Sequence, residues 1–451
     1  MSYGSDQTRG IGAMIETTAP ETAAGGLPNA SGRVVRYLAR LRAIDWTPLL
    51  LMLLVNASFG FRMLWLEKPD GALIFDEQYY VNAARAILGW PVAAGDPYAD
   101  AQPGFDPNTE HPPGAKLLIA ASMWLFGDNA LGWRLASVAF GTLSVPLLYG
   151  IVRQVGATKG VALLASFLYT FDNLVLVHSR IATLDIFVVS FLLLGLFCYL
   201  AGKPTFAGLA FAAATLCKIN GVYGIAAIIG FEALRFIGRW IEKTGWKPIH
   251  LHRLLVMIVV YVVALPSLLG VLDNIWSSDY KNPVEHIRHI FDYGFAITRP
   301  EGPQGQESVP WQWLVNEVPM TYLRTDEQVL VNDKVEITRP IIFFRGAMNP
   351  YVIFITPLAI TYAGYSALKR RDNCSFLALA LFVVTYGPFW PAAIFAHRIS
   401  YLFYFLPTIP SVAIAASQFM YAPQMPRVVR WVYIGAVLLG FYVYFPFLKV
   451  P

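Results

Sequence analysis

The 451-residue chain is 56% hydrophobic and only 14% charged, whereas typical soluble domains are about 25% charged. Its mean hydropathy of +0.50 excludes an ordinary soluble protein. The net charge of +5 is small for this length and lies mostly in short loops, so it argues for membrane orientation and not for a nucleic-acid partner. Repeated apolar segments of about 18 to 22 residues can each cross a hydrocarbon core of about 30 Å. These features predict an all-α polytopic membrane protein.

The first 44 residues differ in composition from the rest. They are rich in Gly, Ala, Thr and Ser and end in a group of arginines. Because they lack the apolar periodicity of a packed domain, we predict a disordered basic cytoplasmic tail over 1–44 and a membrane domain over 45–451. The first apolar run begins near Trp46, which is too far along the chain for an ordinary cleaved signal peptide, so we interpret it as a retained span.

Eleven apolar segments are predicted to cross the membrane, with the N-terminus inside. They are residues 46–66, 130–152, 160–178, 182–200, 205–219, 221–238, 254–273, 350–368, 375–395, 399–418 and 429–447. The run 114–126, "GAKLLIAASMWLF", has the length of an interfacial or re-entrant helix. With this run on the outer surface, the basic loops all fall on the inner side, as the positive-inside rule expects.

Two long outer loops follow from this topology, residues 67–129 and 274–349, and loops of such length are usually functional or disordered. The first contains "FDEQYY", "EHPPGAK" and the surface helix. The second contains "PWQW", whose tryptophans Trp311 and Trp313 are typical of interfacial anchors. Ionisable residues collect at this outer face, where they usually line a cavity or pair with one another. They are Asp76, Glu77, Glu110, His111, Lys116, Arg134, His178, Arg180, Asp185, Lys218, His397 and Arg398.

The acidic dipeptide of "IFDEQYY" has two interpretations. Asp76 and Glu77 form either a general base with a neighbouring carboxylate that tunes it, or a solvated turn that caps a helix. The flanking aromatic residues, Tyr80 among them, and the nearby basic residues favour the first interpretation. Asp76 and Glu77 are therefore the candidate catalytic pair, and Tyr80 is a candidate for positioning the substrate.

In "EHPPGAK", two prolines suit the start of a helix. Glu110 and His111 could hold a divalent metal, although adjacent residues in one pair are weak evidence, and a hydrogen-bonded loop histidine is the alternative. Lys116 either extends its charged end to the headgroup level or contacts a lipid phosphate. We therefore include His111 among the substrate-positioning candidates and Lys116 among those for a phosphate.

Other ionisable residues near the outer ends of spans leave the same choice between structure and function. Arg134 either anchors its helix at the interface or grips a phosphate through two parallel hydrogen bonds. In "HSRIATLDIF", Arg180 and Asp185 form either an internal ion pair or a pair that orients a substrate. Lys218 and Arg398 are further candidates for the phosphate.

Eight segments in order resemble the protein O-mannosyltransferase family of the GT-C class, whose members use polyprenyl-phosphate sugars. They are "IFDEQYY", "EHPPGAKLLIA", "GWRLASVAFGTLSVPLLYG", "HSRIATLDIFVV", "GLAFAAATLCKINGVYG", "PWQWL", "MNPYVIF" and "FYFLPTIP". The resemblance covers roughly residues 70–420. It implies a GT-C fold of about eleven transmembrane helices. Because 274–349 is too short for the β-trefoil domain of eukaryotic members, it also implies a compact prokaryotic type.

The resemblance also implies roles for single residues. Asp76 matches the family's catalytic base, and Arg134 matches the arginine that contacts the donor phosphate. His111 and Lys116 match the juxtamembrane motif, and Asp185 resembles an aspartate of the related aminoarabinose transferases. The "CKIN" segment departs from the tryptophan that often follows the lysine, which puts the surroundings of Lys218 in doubt.

The expected reaction is transfer of mannose from a polyprenyl- or dolichyl-phosphate donor to a serine or threonine of a secreted or membrane protein. It is expected at the outer face of a prokaryotic plasma membrane, with inversion. One rival is a sister enzyme of the same fold with a glycolipid or polysaccharide acceptor and another sugar. A second is a transporter or flippase, although we find no paired interrupted helices in two related halves.

Overall fold

Helices dominate the computed structural model, which describes residues 45–68, 71–241, 250–277, 279–331 and 334–446. The predicted tail, 1–44, lies outside these residues. The elements given below belong to one compact unit that begins at Thr47.

The first half of the described chain is built from helices, and the first outer loop lies among them. The helices are α1 (Thr47–Met63), α2 (Glu77–Leu88), α3 (Gly114–Phe126), α4 (Ala130–Gln154), α5 (Lys159–Thr170), α6 (Asn173–His178), α7 (Asp185–Leu200), α8 (Pro204–Cys217), α9 (Tyr223–Ile241) and α10 (Leu251–Trp276). A 3₁₀ turn, Ile219–Val222, joins α8 to α9.

The second half contains a β-hairpin as well as helices. Its elements are α11 (Pro283–Ala296), α12 (Pro310–Trp313), β1 (Met320–Val331), β2 (Lys334–Gly346), α13 (Pro350–Ile353), α14 (Thr356–Arg370), α15 (Asn373–Tyr386), α16 (Phe389–Phe395), α17 (Ile409–Met420) and α18 (Arg427–Val443). A 3₁₀ helix, Leu402–Thr408, leads into α17.

Every predicted span coincides with a helix or with consecutive helices. Six of these helical stretches are at least 18 residues long and apolar enough to cross a membrane: 130–154, 219–238, 251–276, 350–370, 373–395 and 402–420. Shorter apolar helices include α1, α5, α7 and α8. The protein is therefore an integral membrane protein, and the number of eleven spans stays a prediction.

Local sequence explains where the helices break and begin. The predicted span 160–178 is interrupted at Phe171 because the side chain of Asp172 accepts hydrogen bonds from the backbone N–H groups of Leu174 and Val175, which starts a new helix. The predicted start of α3 is confirmed, since Pro113 lies at its N-cap. In α3, Ile119 is buried, whereas Trp124, Leu125 and Phe126 at its end are exposed.

The β-hairpin was not predicted, and it is the departure from an all-α fold. Strands β1 and β2 pair antiparallel from Met320 opposite Gly346 to Val331 opposite Lys334, with irregularities in register along their length. The base of the hairpin is buried at Met320, Tyr322 and Phe344. The second outer loop is thus partly ordered by secondary structure of its own.

Two hydrophobic cores position the site. The larger runs through the helical bundle and includes the hairpin base, whereas the smaller joins α2 and α3 to α4 and α7 through residues such as Ile119 and Phe187. Trp313 belongs to the larger core. The prediction that it is an interfacial anchor is wrong, because its ring is fully buried against Phe389 and its Nε1–H donates to Ser308.

Candidate active site

Asp76 lies at the N-cap of α2, but its side chain makes no capping hydrogen bond. The structure therefore does not support the interpretation of Asp76 as a helix cap. Its carboxylate is partly buried and interacts electrostatically with Lys218 and Asp185, while no hydrogen bond or ion pair to it is present among the described residues. Burial raises the pKa of this carboxyl to about 7, and the positive charge of Lys218 opposes the rise. A carboxylate with such a pKa can take up a proton near neutral pH.

Glu77, the next residue, has the opposite environment. It is fully buried, and its two carboxylate oxygens accept hydrogen bonds from the backbone N–H groups of Ile74 (2.7 Å) and Ala182 (2.8 Å). The guanidinium of Arg134 binds both oxygens, through Nε at 2.8 Å and Nη2 at 2.7 Å. Glu77 therefore ties the start of α2 to the turn before α7.

Arg134 uses its remaining N–H groups within the same structure. Nη1 donates to the carbonyls of Leu66 and Lys68, and Nη2 also donates to that of Ala72. A guanidinium has five N–H donors, and all five are directed at protein acceptors. The phosphate-binding role expected from the sequence stays a prediction, while in this structure the N–H groups of Arg134 bind protein acceptors.

Lys116 is also held by the protein. Its side chain is fully buried, with Nζ 2.6 Å from Oδ2 of Asp106, and it also donates to the carbonyls of Asn108 and His111. This burial disagrees with a charged end extended to the headgroups, and the contact with a lipid phosphate stays a prediction. The lysine instead fixes the loop that carries Glu110 and His111.

Asp185, at the start of α7, pairs with Lys218 at 2.8 Å between Oδ1 and Nζ. Its other oxygen lies 3.9 Å from Nδ1 of His178. The expected Arg180–Asp185 ion pair is thus replaced by Asp185–Lys218, and Arg180 donates to the carbonyls of Leu64 and Trp65. Lys218 also lies 5.4 Å from the rings of Phe403 and Tyr404, which complete the surroundings that the sequence left in doubt.

Arg398 is a further basic residue of this face. Its Nη1 atom is buried and has no hydrogen-bond partner among the described residues. Its charge acts on Tyr404, which also interacts electrostatically with Lys218 and Asp76. A buried N–H donor without a partner is costly unless a ligand or water satisfies it.

His111 faces the same group of residues. Its Nδ1 atom is buried without a partner among the described residues, and its ring lies 6.1 Å from that of Tyr80. Burial, together with the charges of Lys218, Lys116 and Arg398, lowers the pKa of His111 well below its usual value. The imidazole is therefore neutral at neutral pH, and its Nδ1 atom can exchange a hydrogen bond with a ligand.

Metal-binding side chains do not gather here. Among the residues that the structure describes, no three His, Cys, Asp or Glu side chains lie close enough to hold a metal ion. Glu110 accepts a hydrogen bond from the side chain of Asn108 at 3.0 Å. Glu110 and His111 remain the weak metal candidate that the sequence offered.

Two residues that were not among the predicted site residues support Asp76. Phe75 has a positive φ of 55°, which is uncommon for a residue with a side chain. Its ring packs at 4.8 Å against Tyr322 of β1 and at 5.8 Å against Phe403. The hydroxyl of Tyr322 lies 2.6 Å from Nε2 of His178. The β-hairpin thus holds the backbone from which Asp76 projects, and only an expectation of strand structure in 320–346 could have revealed this.

Comparison with known proteins finds glycosyltransferases that are named for polyprenyl-phosphate-linked sugar donors. A family model described as dolichyl-phosphate-mannose-protein mannosyltransferase matches residues 110–266. A polyprenol-phosphate-mannose–protein mannosyltransferase of Corynebacterium glutamicum is 25% identical, over 86% of this chain and 84% of the relative. An undecaprenyl phosphate-α-4-amino-4-deoxy-L-arabinose arabinosyl transferase of Pseudomonas paraeruginosa is 27% identical, over 72% of this chain and 61% of the relative.

The fold also matches a solved structure. The S. cerevisiae protein O-mannosyltransferase complex bound to the sugar donor superposes with a TM-score of 0.66. The match covers 91% of each chain at 12% sequence identity. This likeness establishes the GT-C fold.

Proposed function

The chain belongs to the dolichyl-phosphate-mannose-protein mannosyltransferase family of polyprenyl-phosphate-sugar-dependent glycosyltransferases, and from this premise we propose that it mannosylates serine or threonine hydroxyls with Asp76 as general base. Its relative from C. glutamicum is named for mannose transfer from polyprenol phosphate to protein, and the match extends over most of both chains. Two parts of the proposal go beyond these similarities, namely the serine or threonine acceptor and the role of Asp76 as the base.

The contrast between two adjacent carboxylates carries the assignment of the base. Both carboxylate oxygens of Glu77 are bound by protein donors, so this residue has little freedom to accept a proton from a substrate. Asp76 makes no such bond, and its pKa of about 7 matches the task of a base at neutral pH. Asp76 is thus the catalytic group, and Glu77 positions it.

The departing phosphate needs positive charge on the other side of the sugar. Arg398 offers a buried N–H group that has no partner among the described residues, and Lys218 offers an ammonium that binds Asp185. We assign these two residues to the phosphate. Arg134 and Lys116 act indirectly, because the N–H donors of Arg134 bind Glu77 and the ammonium of Lys116 binds the loop that carries His111. Hydrogen-bond donors fixed in place before reaction are effective because they need no reorganisation as charge develops.

The proposed reaction is a single displacement at the anomeric carbon of the sugar. The hydroxyl oxygen of the acceptor forms a bond to the anomeric carbon, and the bond from that carbon to the phosphate oxygen breaks. The phosphate leaves with the bonding electrons, and the hydroxyl proton passes to Asp76. His111, Tyr80 and Asp185 surround the reacting groups and serve to orient the sugar, while Arg180 holds the backbone of the turn after α1.

We place this site at the outer face of the plasma membrane with the N-terminus inside. Charge supports this orientation, because the basic loops predicted to face inward lie at the ends of the spans away from Asp76. The polyprenyl chain would stay among the lipids, and the acceptor protein would arrive from outside the cell.

The activity test uses purified protein in lipid with polyprenyl-phosphate-mannose and a Ser/Thr-rich peptide. We expect mannosylated peptide, detected by mass spectrometry, and loss of product when Asp76→Asn replaces the wild type. Asp100→Asn, on an exposed residue of the same loop, is the matched control. Turnover by Asp76→Asn at the rate of the wild type would contradict the assignment of Asp76 as the base.

A second candidate is transfer of a sugar to a lipid acceptor. The similarity to an aminoarabinose transferase over 72% of this chain favours it. Offering the peptide and a glycolipid acceptor side by side, each with the mannose donor and with the aminoarabinose donor, separates the two functions. Product on lipid alone would establish the second candidate, and product on peptide alone the first.

A further inference from the structure

A pocket of about 270 Å³ lies at the other end of the helical bundle from the candidate active site. The stretch 402–420, which is long and apolar enough to cross a membrane, connects the two regions. It begins with the 3₁₀ helix that carries Tyr404 of the candidate site and ends at Met420, and Tyr421 lines the pocket. The pocket therefore belongs to the opposite membrane surface, and the proposed reaction uses none of its residues.

The walls of this pocket present hydrogen-bond donors. Arg370, at the end of α14, is exposed, and its Nη1 donates to the hydroxyl of Tyr362 at 3.3 Å. The hydroxyl of Tyr421, just after α17, has no hydrogen bond among the described residues. Thr158 caps α5 by accepting from the backbone N–H of Val161, so the N-terminal end of this helix also lines the pocket. A guanidinium, two phenols and a helix N-terminus together suit a phosphate group.

The pocket wall has one acidic side chain in the part of the chain that the structure describes, that of Asp372. Its carboxylate accepts from the hydroxyl of Ser366 at 2.6 Å and from the amide of Gln418 at 2.8 Å. It also accepts from the backbone N–H and the hydroxyl of Ser375, at 2.8 and 2.7 Å. These four bonds occupy the acceptor sites of the carboxylate. Asp372 therefore joins α14, α15 and α17 and leaves the donors of the wall to a ligand.

The segments that border the pocket are strongly basic. Seven basic side chains and a single acidic one lie in three segments, residues 153–160, 369–375 and 418–431. One of the basic residues also shapes the wall, because the guanidinium of Arg430 lies 3.5 Å from the ring centre of Tyr421 and its Nε donates to the carbonyl of Met420. Basic pockets between the ends of transmembrane helices are typical sites for anionic lipid headgroups.

An apolar face of α14 leads to the pocket. Leu358, Tyr365 and Leu368 are exposed on this helix, at spacings that place them on one side of it. In a membrane protein such a face contacts the acyl chains of lipids. Because this face ends beside Arg370, one phospholipid could place its chains along α14 and its headgroup in the pocket. A free phosphate ion would use the pocket alone, so the observations favour a lipid.

We propose that this pocket binds the phosphate headgroup of an anionic phospholipid, in the leaflet opposite the proposed site of mannose transfer. Arg370 and the hydroxyls of Tyr362 and Tyr421 hold the phosphate, and the acyl chains lie against α14. The headgroup contacts α5, α14 and the end of α17 together, so its binding stabilises the folded state by mass action. The site requires neither the identity of the sugar nor that of the acceptor.

Arg370→Gln is the discriminating variant. Thermal unfolding of the purified protein in detergent is followed as phosphatidylglycerol is added, at about 1 M salt, where the Debye length is about 3 Å and distant charges contribute little. The Tm of the wild type should rise with the lipid concentration. Arg370→Gln should need roughly 10- to 100-fold more lipid for the same rise, because a charged hydrogen bond is lost. Lys369→Gln is the matched control, since it removes the same charge from an exposed neighbour outside the pocket wall, and it should titrate like the wild type.

A second variant tests the pocket without a change of charge. Ala157 lines the pocket, and Ala157→Phe should fill it and remove the rise in Tm, measured against the same variant without lipid. Phosphatidylcholine with the same acyl chains and inorganic phosphate are added in parallel, and neither should reproduce the effect of phosphatidylglycerol.

Three outcomes would overturn the proposal. Equal titrations of Arg370→Gln and Lys369→Gln would exclude Arg370 from the site. An equal rise with phosphatidylcholine would mean that lipid surrounds the protein without a specific headgroup site. A rise with inorganic phosphate equal to that with phosphatidylglycerol would make the ligand a free phosphate ion and not a lipid. All of these measurements are independent of mannose transfer, so the proposed function and this site can fail separately.

Discussion

Asp76 and Glu77 are adjacent carboxylates with opposite environments. The region around Glu77 and Arg134 is buried and hydrogen-bonded throughout, with five donors of one guanidinium all bound by the protein. The region around Asp76 and Arg398 contains polar groups that have no hydrogen-bond partner in the part of the chain that the structure describes. The difference teaches that residue type alone does not mark a reactive group. What distinguishes it is whether its hydrogen-bonding capacity is already used by the protein.

The largest effect on activity is expected for a substitution of Asp76. Asp76→Asn removes the proposed base and should lower kcat by about 10²- to 10⁴-fold. Because burial raises the pKa of Asp76, its ionised form destabilises the folded state above about pH 7. The variant should therefore keep or increase the Tm of the wild type at pH 8. If Asp76→Asn had a reduced Tm and unchanged turnover, Asp76 would be a structural residue and not the base.

Changes on the structural side should act mainly on stability. Glu77→Gln or Arg134→Ala leaves one member of a buried ion pair without its partner, which costs about 3–5 kcal/mol. We expect a large fall in Tm, measured by thermal unfolding in detergent or lipid. Arg134→Lys should not restore it, since lysine cannot reproduce the two parallel bonds to Glu77.

Arg398→Ala tests whether Arg398 binds the donor phosphate or supports the fold. It should increase the KM for the lipid donor by roughly 10- to 100-fold, because a charged hydrogen bond to phosphate is lost. Stability should be kept, since the buried Nη1 atom has no partner to lose among the described residues. Arg288→Ala, on an exposed residue of α11, is the control. An unchanged KM together with a fall in Tm would make Arg398 a structural residue like Arg134.

Acid pH is expected to have a smaller, graded effect. A base with a pKa of about 7 is increasingly protonated below that pH. The value of kcat/KM should therefore fall about tenfold for each pH unit below 7. A rate measurement from pH 5 to 8 tests this, with Asp96→Asn as the control from the exposed part of the loop. A flat profile over this range would argue that Asp76 is not the base.

The smallest effect is expected at the support behind Asp76. Tyr322→Phe keeps the ring beside Phe75 but removes the hydroxyl that contacts His178. The loss of one hydrogen bond, roughly 1 kcal/mol, should lower kcat about fivefold. Tyr365→Phe, at an exposed tyrosine, should have no effect. A change of Tm alone, without a change of kcat, would confine Tyr322 to folding.

Much of the fold could be predicted from the sequence because apolar length and loop charge act locally. The run 114–126 was too short for a span, and it forms the separate helix α3. The hairpin was missed because its strands carry charged residues and no apolar run long enough to draw attention. Its β-branched residues on either side of Asn332 and Asp333 were the available signal. The break at Asp172 was readable only as a capping residue within an apolar segment.

The sequence predicts which residues form the candidate site, but it does not show which of them react and which support the structure. Arg134 and Arg398 look alike in sequence, since each is a single arginine near the outer end of an apolar segment. Only packing shows that Glu77 and three carbonyls bind the first, while the second keeps a donor unused. The partner of Asp185 was likewise hidden, because Lys218 lies 33 residues away along the chain.

The most direct test of the central claim is a structure of Asp76→Asn with bound polyprenyl-phosphate-mannose and an acceptor peptide. We predict that the acceptor hydroxyl lies within hydrogen-bond reach of residue 76, about 2.6–3.2 Å. The phosphate should contact Arg398 and Lys218, with Arg134 still bound to Glu77. A phosphate gripped by Arg134, with Glu77 released towards the hydroxyl, would contradict the account.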